Sequence, residues 1–352
     1  MPAFPLLVGH PSRTTAARRW GLIACIGVLA WSSARPAAAV TVQGLYEANV
    51  PMAERSESAQ ASAFQDAMRQ VLVRVTGRRD AGEDPALAPL VNDARRYVQQ
   101  FRVVGGNQFV AGFDGERVER AVVDAGQPLW GHERPATLVV LAVGEASGRS
   151  VLTTSSTGEL KQAVQRGAQL RGLPILWPEA ARPIIAAQLA GESAQSLREI
   201  GARYGADAVL AGVSAAPGAG SAIRWTLVQG EETNQWRGTA EEGPHGAADW
   251  FAHAFAADSD SSGDGAAVAI TVSGVSDLRA YASVTEYLQS LTLVQALAVD
   301  EVAGDNVVYR ARVRGGAERL ARAISLGGRL EPQSPEASNG DVGGALAYRY
   351  RP

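Results

Sequence analysis

The chain has 352 residues, of which 46% are hydrophobic and 20% are charged, and its formal net charge is -3. This composition predicts compact folded domains and excludes a wholly disordered chain. The weak negative charge argues against a broad surface for nucleic acid or anionic membranes. The 33 basic residues include a single lysine, Lys161, and its neighbours match neither a P-loop nor a lysine-nucleophile motif.

The first 39 residues have the pattern of a secretory signal peptide. A basic region precedes an apolar run of twelve residues, 20–31, and small residues follow in an A-x-A arrangement at Ala37 and Ala39. A membrane span needs about 20 apolar residues, so the run is too short for an anchor. We therefore expect cleavage after Ala39 and export to a Gram-negative periplasm. The mature chain would have 352 - 39 = 313 residues, no transmembrane span, and a net charge of 29 - 36 = -7.

The one cysteine, Cys25, lies inside this apolar run. The residues before it resemble a lipoprotein cleavage box, but most of the apolar run follows the cysteine, whereas a lipobox ends such a run. Removal of residues 1–39 would leave a mature chain without disulfides, thiol nucleophiles or cysteine metal sites.

The first predicted block covers residues 40–145. A strand at 42–50 precedes an amphipathic helix, which Gly77 ends. A second helix at 86–100, a hairpin of strands 101–104 and 109–113, a short helix from Asp114 and a buried strand at 137–143 follow. The apolar stripe of the first helix consists of Phe64, Met68, Val71, Leu72 and Val75.

The second predicted block, residues 149–257, alternates helices with apolar strands and ends on a hairpin and a helix. This order predicts an α/β layer with a β-hairpin edge. A small, polar and acidic stretch, residues 258–265, predicts a flexible linker.

The third predicted block, residues 266–352, shows the order β-α-β-β-α-β, followed by a last strand at 346–350. That order is typical of a ferredoxin-like sandwich. The expected fold class is therefore α/β to α+β, with two α/β layered domains followed by a ferredoxin-like domain.

Two patterns in the sequence have some features of metal sites. Asp258, Asp260 and Ser262 match the opening of a calcium loop, but position 12 of that loop is Ala269 instead of the bidentate glutamate. His245 and His253 are too far apart along one helix to share a metal. We therefore expect neither a metal nor another cofactor.

His132 and Glu133, just before the buried strand 137–143, are the best acid-base candidates. The alternative interpretation is a structural turn.

A basic strand face is predicted near the carboxyl end. Arg310, Arg312 and Arg314 alternate with apolar residues, which places them on one face of a strand. Such a face suits an acidic partner, a cell-wall polymer or a lipid headgroup. A solvated sheet face with salt bridges inside the domain is the alternative.

Tryptophans cluster in the second block. Trp177, Trp225 and Trp236 suit either a binding groove or a packed core. Trp225 and Trp236 would be cross-strand partners on the predicted hairpin.

Several segments together resemble a proteobacterial periplasmic family known only as a domain of unknown function. They are residues 45–48, 71–79, 94–100, 113–114, 129–135 and 203–212. The resemblance implies a secreted envelope protein and carries over no catalytic residue. Residues 205–212 are also similar to the amino-terminal α/β domain of the Tol-Pal translocation protein and to curli-secretion-type lipoproteins, which implies action through protein contacts.

The sequence thus favours a non-catalytic periplasmic protein that binds or scaffolds an envelope protein or cell-wall component. Nucleic acid is not an expected partner. The alternatives are a carboxylate-dependent cell-wall hydrolase that uses Glu133, and a small-ligand module beside Trp177.

Overall fold

The computed structural model describes residues 40–41 and 44–351, except 106, 145–147, 182–183, 185–192, 216–217, 219, 257–265 and 334–344. The described residues form a mixed α/β structure of eight α-helices and three sheets, with one further two-stranded ladder. The expected fold class is confirmed. The signal segment with Cys25, and the calcium-like residues Asp258, Asp260 and Ser262, lie outside the described residues. Among the helices that are described, none is both long and apolar enough to cross a membrane.

The first sheet has three antiparallel strands in the order β2-β4-β3, with β2 at Glu47–Pro51, β3 at Val98–Val104 and β4 at Gln108–Phe113. Helix α1, Glu57–Thr76, begins where Ser56 accepts a hydrogen bond from the Ala59 N–H, and it ends at Gly77 in the left-handed conformation. Its predicted apolar stripe is fully buried.

The prediction of one helix over residues 86–100 is wrong about its length. Helix α2 covers only Ala88–Asn92, a 3-10 turn follows at Ala94–Tyr97, and β3 begins at Val98. Pairing of this segment with β4 overrides its helical pattern. Helix α3, Gly115–Asp124, is capped at its amino end by Asp114, as predicted.

The second sheet is built on β6, Thr137–Val143, whose first six residues are buried. It pairs in parallel with β9, Ala208–Ser214, and with β8, Ile175–Leu176, and antiparallel with β7, Ser150–Val151. The hairpin of β10, Ile223–Gln229, and β11, Glu232–Gly238, extends the sheet beyond β9.

Helices cover both faces of this sheet, as parallel strands require. Helices α4, Glu159–Arg171, and α6, Glu242–Phe255, pack on one face, and α5, Ala194–Tyr204, packs on the other. Strand β6 falls within residues 40–145, yet all its partners in this sheet follow it in the chain. Whether residues 40–145, 149–257 and 266–352 fold as separate domains stays a prediction.

The third sheet contains the predicted β-α-β-β-α-β elements. They are β12 (Ala266–Ser273), α7 (Leu278–Ser290), β13 (Val294–Ala303), β14 (Asn306–Val313), α8 (Gly316–Leu326) and β15 (Leu330–Pro332). The last strand, β16 at Leu346–Tyr350, pairs in parallel with β12 and antiparallel with β15. The strand order is therefore β13-β14-β12-β16-β15, with β16 inserted between two strands of the predicted sandwich.

Both helices of the third block pack on one face of its sheet. Alternate residues of β12 and β14 are buried against the apolar side chains of α7 and α8. The opposite face carries the other set of alternate side chains, and the described residues place no helix over it. We call it the open face.

Candidate functional site

A fully buried arginine lies where the first and second blocks meet. Arg134 is on the short strand β5, Glu133–Arg134, and is 0% exposed. Its Nε donates to the carbonyl of Gly131, Nη1 donates to those of Arg171 and Gly172, and Nη2 donates to those of Arg74 and Trp130. The five distances lie between 2.7 and 3.2 Å. The side chain thus joins three separate segments of the chain.

Backbone carbonyls stabilise the charge of Arg134, and no carboxylate of the described residues forms a salt bridge with it. Three of the accepting carbonyls lie at the carboxyl ends of α1 and α4, where the helix dipole is negative. The guanidinium carbon also lies 3.8 Å from the ring centroid of Trp130. Burial lowers the pKa of Arg134 to about 9, so the group remains a cation at neutral pH.

Two further buried arginines surround Arg134, and burial lowers the pKa of each. Arg171 donates to the Gly77 carbonyl and to a carboxylate oxygen of Asp249, both at 2.6 Å. Arg74 donates through Nη1 to the carbonyls of Glu47, at 2.5 Å, and Gly44. Sequence reasoning missed this cluster. Only the position of Arg74 inside the buried stripe of α1 hinted that its side chain would be enclosed.

His132 and Glu133 hold the third block against the first. A carboxylate oxygen of Glu133 accepts a hydrogen bond from the Thr292 N–H at 2.8 Å, and His132 Nδ1 lies 3.2 Å from the Thr292 hydroxyl. His132 Nε2 lies 3.4 Å from the same Glu133 oxygen. Gly131 packs so closely on Thr292 that a Cβ there would overlap it. The two acid-base candidates, His132 and Glu133, therefore take part in a contact between blocks.

The open face of the third sheet carries the predicted basic residues. Arg310 and Arg312 are exposed, while Tyr309, Ala311 and Val313 point into the core. The strand pattern therefore alternates as predicted. Each arginine is flanked on both neighbouring strands by alanine. One row is Ala298, Arg310 and Ala269, and the next is Ala296, Arg312 and Ala267.

Ion pairs neutralise part of this face. Arg310 pairs with Asp300 at 2.5 Å, and Arg351 pairs with Glu331 at 2.6 Å. Arg314 follows the end of β14 and is only half-exposed, with its backbone N–H bonded to the Leu293 carbonyl. The open face is thus basic but contains internal partners.

The tryptophans separate into different environments. Trp225 is a fully buried core residue, and Trp236 lies directly opposite it on β11, which confirms the predicted cross-strand pair. Their indole N–H groups donate to the carbonyls of Thr239 and Glu242, respectively. Trp177 is half-buried with Lys161 Nζ 5.4 Å from its ring centroid, and it lines none of the three cavities described below.

A cleft of about 350 Å³ lies between the hairpin of the second block and α8 of the third. Its lining includes Asp207, Glu231, Glu232 and Trp250. Asp207 accepts a hydrogen bond from the Ala136 N–H at 2.8 Å, and burial raises its pKa to about 6. Glu231 pairs with Arg198. Sequence reasoning did not single out Asp207.

Two further cavities, each of about 420 Å³, adjoin the first block. One is lined by residues of all three blocks, including Arg79, His253 and Arg319. The other lies between β2 and the end of α4 and contains Arg74. Within the described ranges, no group of three or more His, Cys, Asp or Glu side chains could hold a metal ion.

Residues 39–131 match the family described as Domain of unknown function (DUF8605). The matched segment contains the hydrophobic core that is built around helix α1, from Leu45 to Leu129. No significant match to a curated protein or to a solved structure was found.

Proposed function

We propose that this protein is a non-catalytic binding or scaffolding protein of the Gram-negative periplasm, and that an acidic envelope protein docks on the open face of its third sheet. The observation that carries the proposal is the pair of rows in which Arg310 and Arg312 stand between alanines. Because alanine side chains are short, both guanidinium groups are accessible to carboxylates of a partner.

The ion pair of Arg310 with Asp300 does not prevent such docking. Arg310 and Asp300 are 64% and 47% exposed, and an ion pair in that environment contributes only about 0 to 1 kcal/mol. A partner carboxylate can replace Asp300 at little cost. Charge complementarity of this kind would set the specificity and the rate of association.

The proposed location has separate support. The family match begins at residue 39, which is where the signal-like segment predicts cleavage. The chain beyond that point contains no cysteine, so an oxidising compartment imposes no requirement for thiol pairing.

The proposal can be tested by site-specific photo-crosslinking in intact cells. A photoreactive amino acid at Ala269 would report what touches the open face, because Ala269 is the cross-strand neighbour of Arg310. We expect crosslinking to a defined acidic protein, with loss of the product in Arg310→Glu and Arg312→Glu variants. Arg322→Glu is the matched control, since Arg322 is on helix α8. Retention of the product in both charge-reversal variants, or a glycan product instead of a protein, would contradict the proposal.

One observation favours a second candidate, a carboxylate-dependent cell-wall hydrolase. The cleft with Asp207, Glu232 and Trp250 combines a carboxyl of raised pKa, a second carboxylate and an aromatic wall. Release of reducing ends from purified peptidoglycan, abolished by Asp207→Asn, would support this activity. If the wild-type protein releases none, this candidate is excluded.

A further inference from the structure

The cavity between the first and second blocks has a mixed lining. Leu45, Ala168 and Leu173 give it apolar walls, and Asn49 and Gln169 give it polar edges. Arg74 of helix α1 also lines it. Its volume of about 420 Å³ falls in the range of small-ligand sites. It lies on different blocks from the open face and is independent of the function proposed above.

Arg74 is held firmly but is not fully bonded. The residue is 8% exposed, and its Nη1 donates to the carbonyls of Glu47 and Gly44. Its Nε is buried without any hydrogen-bond partner. Among the described residues no carboxylate pairs with this guanidinium. The positive charge of Arg74 therefore lines the cavity without a neutralising side chain from the described part of the chain.

The surroundings of Arg74 favour an anion. Arg134 and Arg171 are buried nearby, and of these two only Arg171 has a carboxylate partner, Asp249. The one carboxylate in the cavity lining, that of Glu47, is paired with Arg102 at 3.1 Å. The region around the cavity therefore carries excess positive charge.

We propose that this cavity binds a ligand with a carboxylate group on a short aliphatic chain. The bonds of Nη1 fix the orientation of the guanidinium. Nη2 is left to donate a charge-assisted hydrogen bond to a carboxylate oxygen of the ligand. Leu45, Ala168 and Leu173 would contact the aliphatic chain. The carboxylate could belong to a free acid or to the carboxyl terminus of a peptide.

Calorimetric titration of the full mature chain tests the proposal. The probes are valerate for a free acid, N-acetyl-leucine for a peptide terminus, and valeramide as the uncharged counterpart of valerate. We expect saturable binding of at least one carboxylate and no binding of valeramide. The tighter of the two carboxylates identifies the source, and either result supports the site. Binding of neither, or binding of inorganic phosphate but not of these acids, overturns the proposal.

Variants locate the site. Arg74→Gln should weaken binding at least about tenfold, because the charge-assisted contact with the carboxylate is lost. Since Arg74 is also structural, a second variant is needed. Gln169→Trp blocks the cavity from the exposed rim and should weaken binding by a similar factor. The matched controls are Arg69→Gln on α1, where the arginine side chain is 42% exposed, and Gln162→Trp on α4, at an exposed position. Neither residue lines the cavity. Equal binding by Gln169→Trp and Gln162→Trp would overturn the proposal.

Discussion

The guanidinium of Arg134 donates a hydrogen bond of 2.7 Å to the backbone carbonyl of Arg171, the last residue of helix α4. A second nitrogen of the same group donates at 2.7 Å to the carbonyl of Arg74, in the last turn of α1. One side chain thus donates hydrogen bonds to backbone carbonyls at the carboxyl ends of helices from two blocks. Those carbonyls have no partners within their helices, so a buried helix end requires such a donor.

Substitution of Arg134 should therefore be severely destabilising. Arg134→Met would leave five buried carbonyls without their donor, and we expect a loss of about 3 to 5 kcal/mol in the free energy of unfolding. Urea denaturation measures this. The control is Arg102→Met, which removes an exposed pair with Glu47 and should cost less than about 1 kcal/mol. If Arg134→Met lowers the free energy of unfolding by less than about 1 kcal/mol, the carbonyls at the helix ends must find other donors.

The contact of Gly131 with Thr292 should control how firmly the third block is held. Gly131→Ala would force the added methyl group against the Thr292 side chain. We expect this to separate the Thr292 N–H from the Glu133 carboxylate. We expect faster limited proteolysis between the second and third blocks, with the fragments identified by mass spectrometry. Gly105→Ala, at a position with open space around it, is the control. Equal cleavage rates in the two variants would mean that other contacts hold the third block.

The buried carboxyl of Asp207 should make stability depend on pH. Its pKa is about 6 in the folded protein and 3.8 in the reference state, so between these values the folded state binds more protons than the unfolded state. Stability should therefore fall as pH rises from about 4 to about 6, by about 1 to 3 kcal/mol after allowance for partial exposure.

Asp207→Asn retains an oxygen that can accept from the Ala136 N–H but does not titrate. Urea unfolding at several pH values should show a flatter profile for this variant than for the wild type. Glu232→Gln alters a carboxylate in the same cleft without touching Asp207, and its profile should follow the wild type. Parallel profiles for Asp207→Asn and the wild type would refute the assignment.

The single lysine should have a structural role. Lys161 Nζ donates to the carbonyls of Thr153, Thr154 and Ser156 at 2.6 to 3.0 Å, which holds the loop before α4. We expect Lys161→Met to cost about 1 to 3 kcal/mol, because three carbonyls lose a charged donor. Hydrogen exchange in this loop should also become faster. Arg166→Met, at an exposed position of the same helix, is the control. Unchanged hydrogen exchange of this loop in Lys161→Met would contradict a structural role for Lys161.

Processing at Ala39 tests the proposed location. Amino-terminal sequencing of the protein from the periplasmic fraction should begin at Val40. Ala39→Phe should block cleavage, because the signal peptidase requires small residues at that position, while Ala38→Phe at the tolerant middle position should still be processed. An uncleaved chain in the cytoplasmic fraction would contradict the proposed location.

The features that could be predicted from the sequence depend on residues close together in the chain. The buried stripe of α1, the alternation of Arg310 and Arg312 with apolar residues, and the pairing of Trp225 with Trp236 all follow from periods of two or 3.6 residues or from a short hairpin. The ends of the segment 86–100 could not be predicted so well, since pairing with β4 competes there with helix formation.

The composition of the sequence determined that the chain folds, and the order of its local patterns determined the α/β class. Its weak negative charge argued against a broad surface for nucleic acid. Tertiary structure alone decided that β16 lies between β12 and β15, and that Glu133 binds Thr292, which is 159 positions away. It also decided the surroundings of Arg134, which include the ends of two helices from different blocks. The physical reason is that a local pattern shows which face of an element is apolar, whereas the partners of that face come from distant parts of the chain and are selected when the whole chain packs.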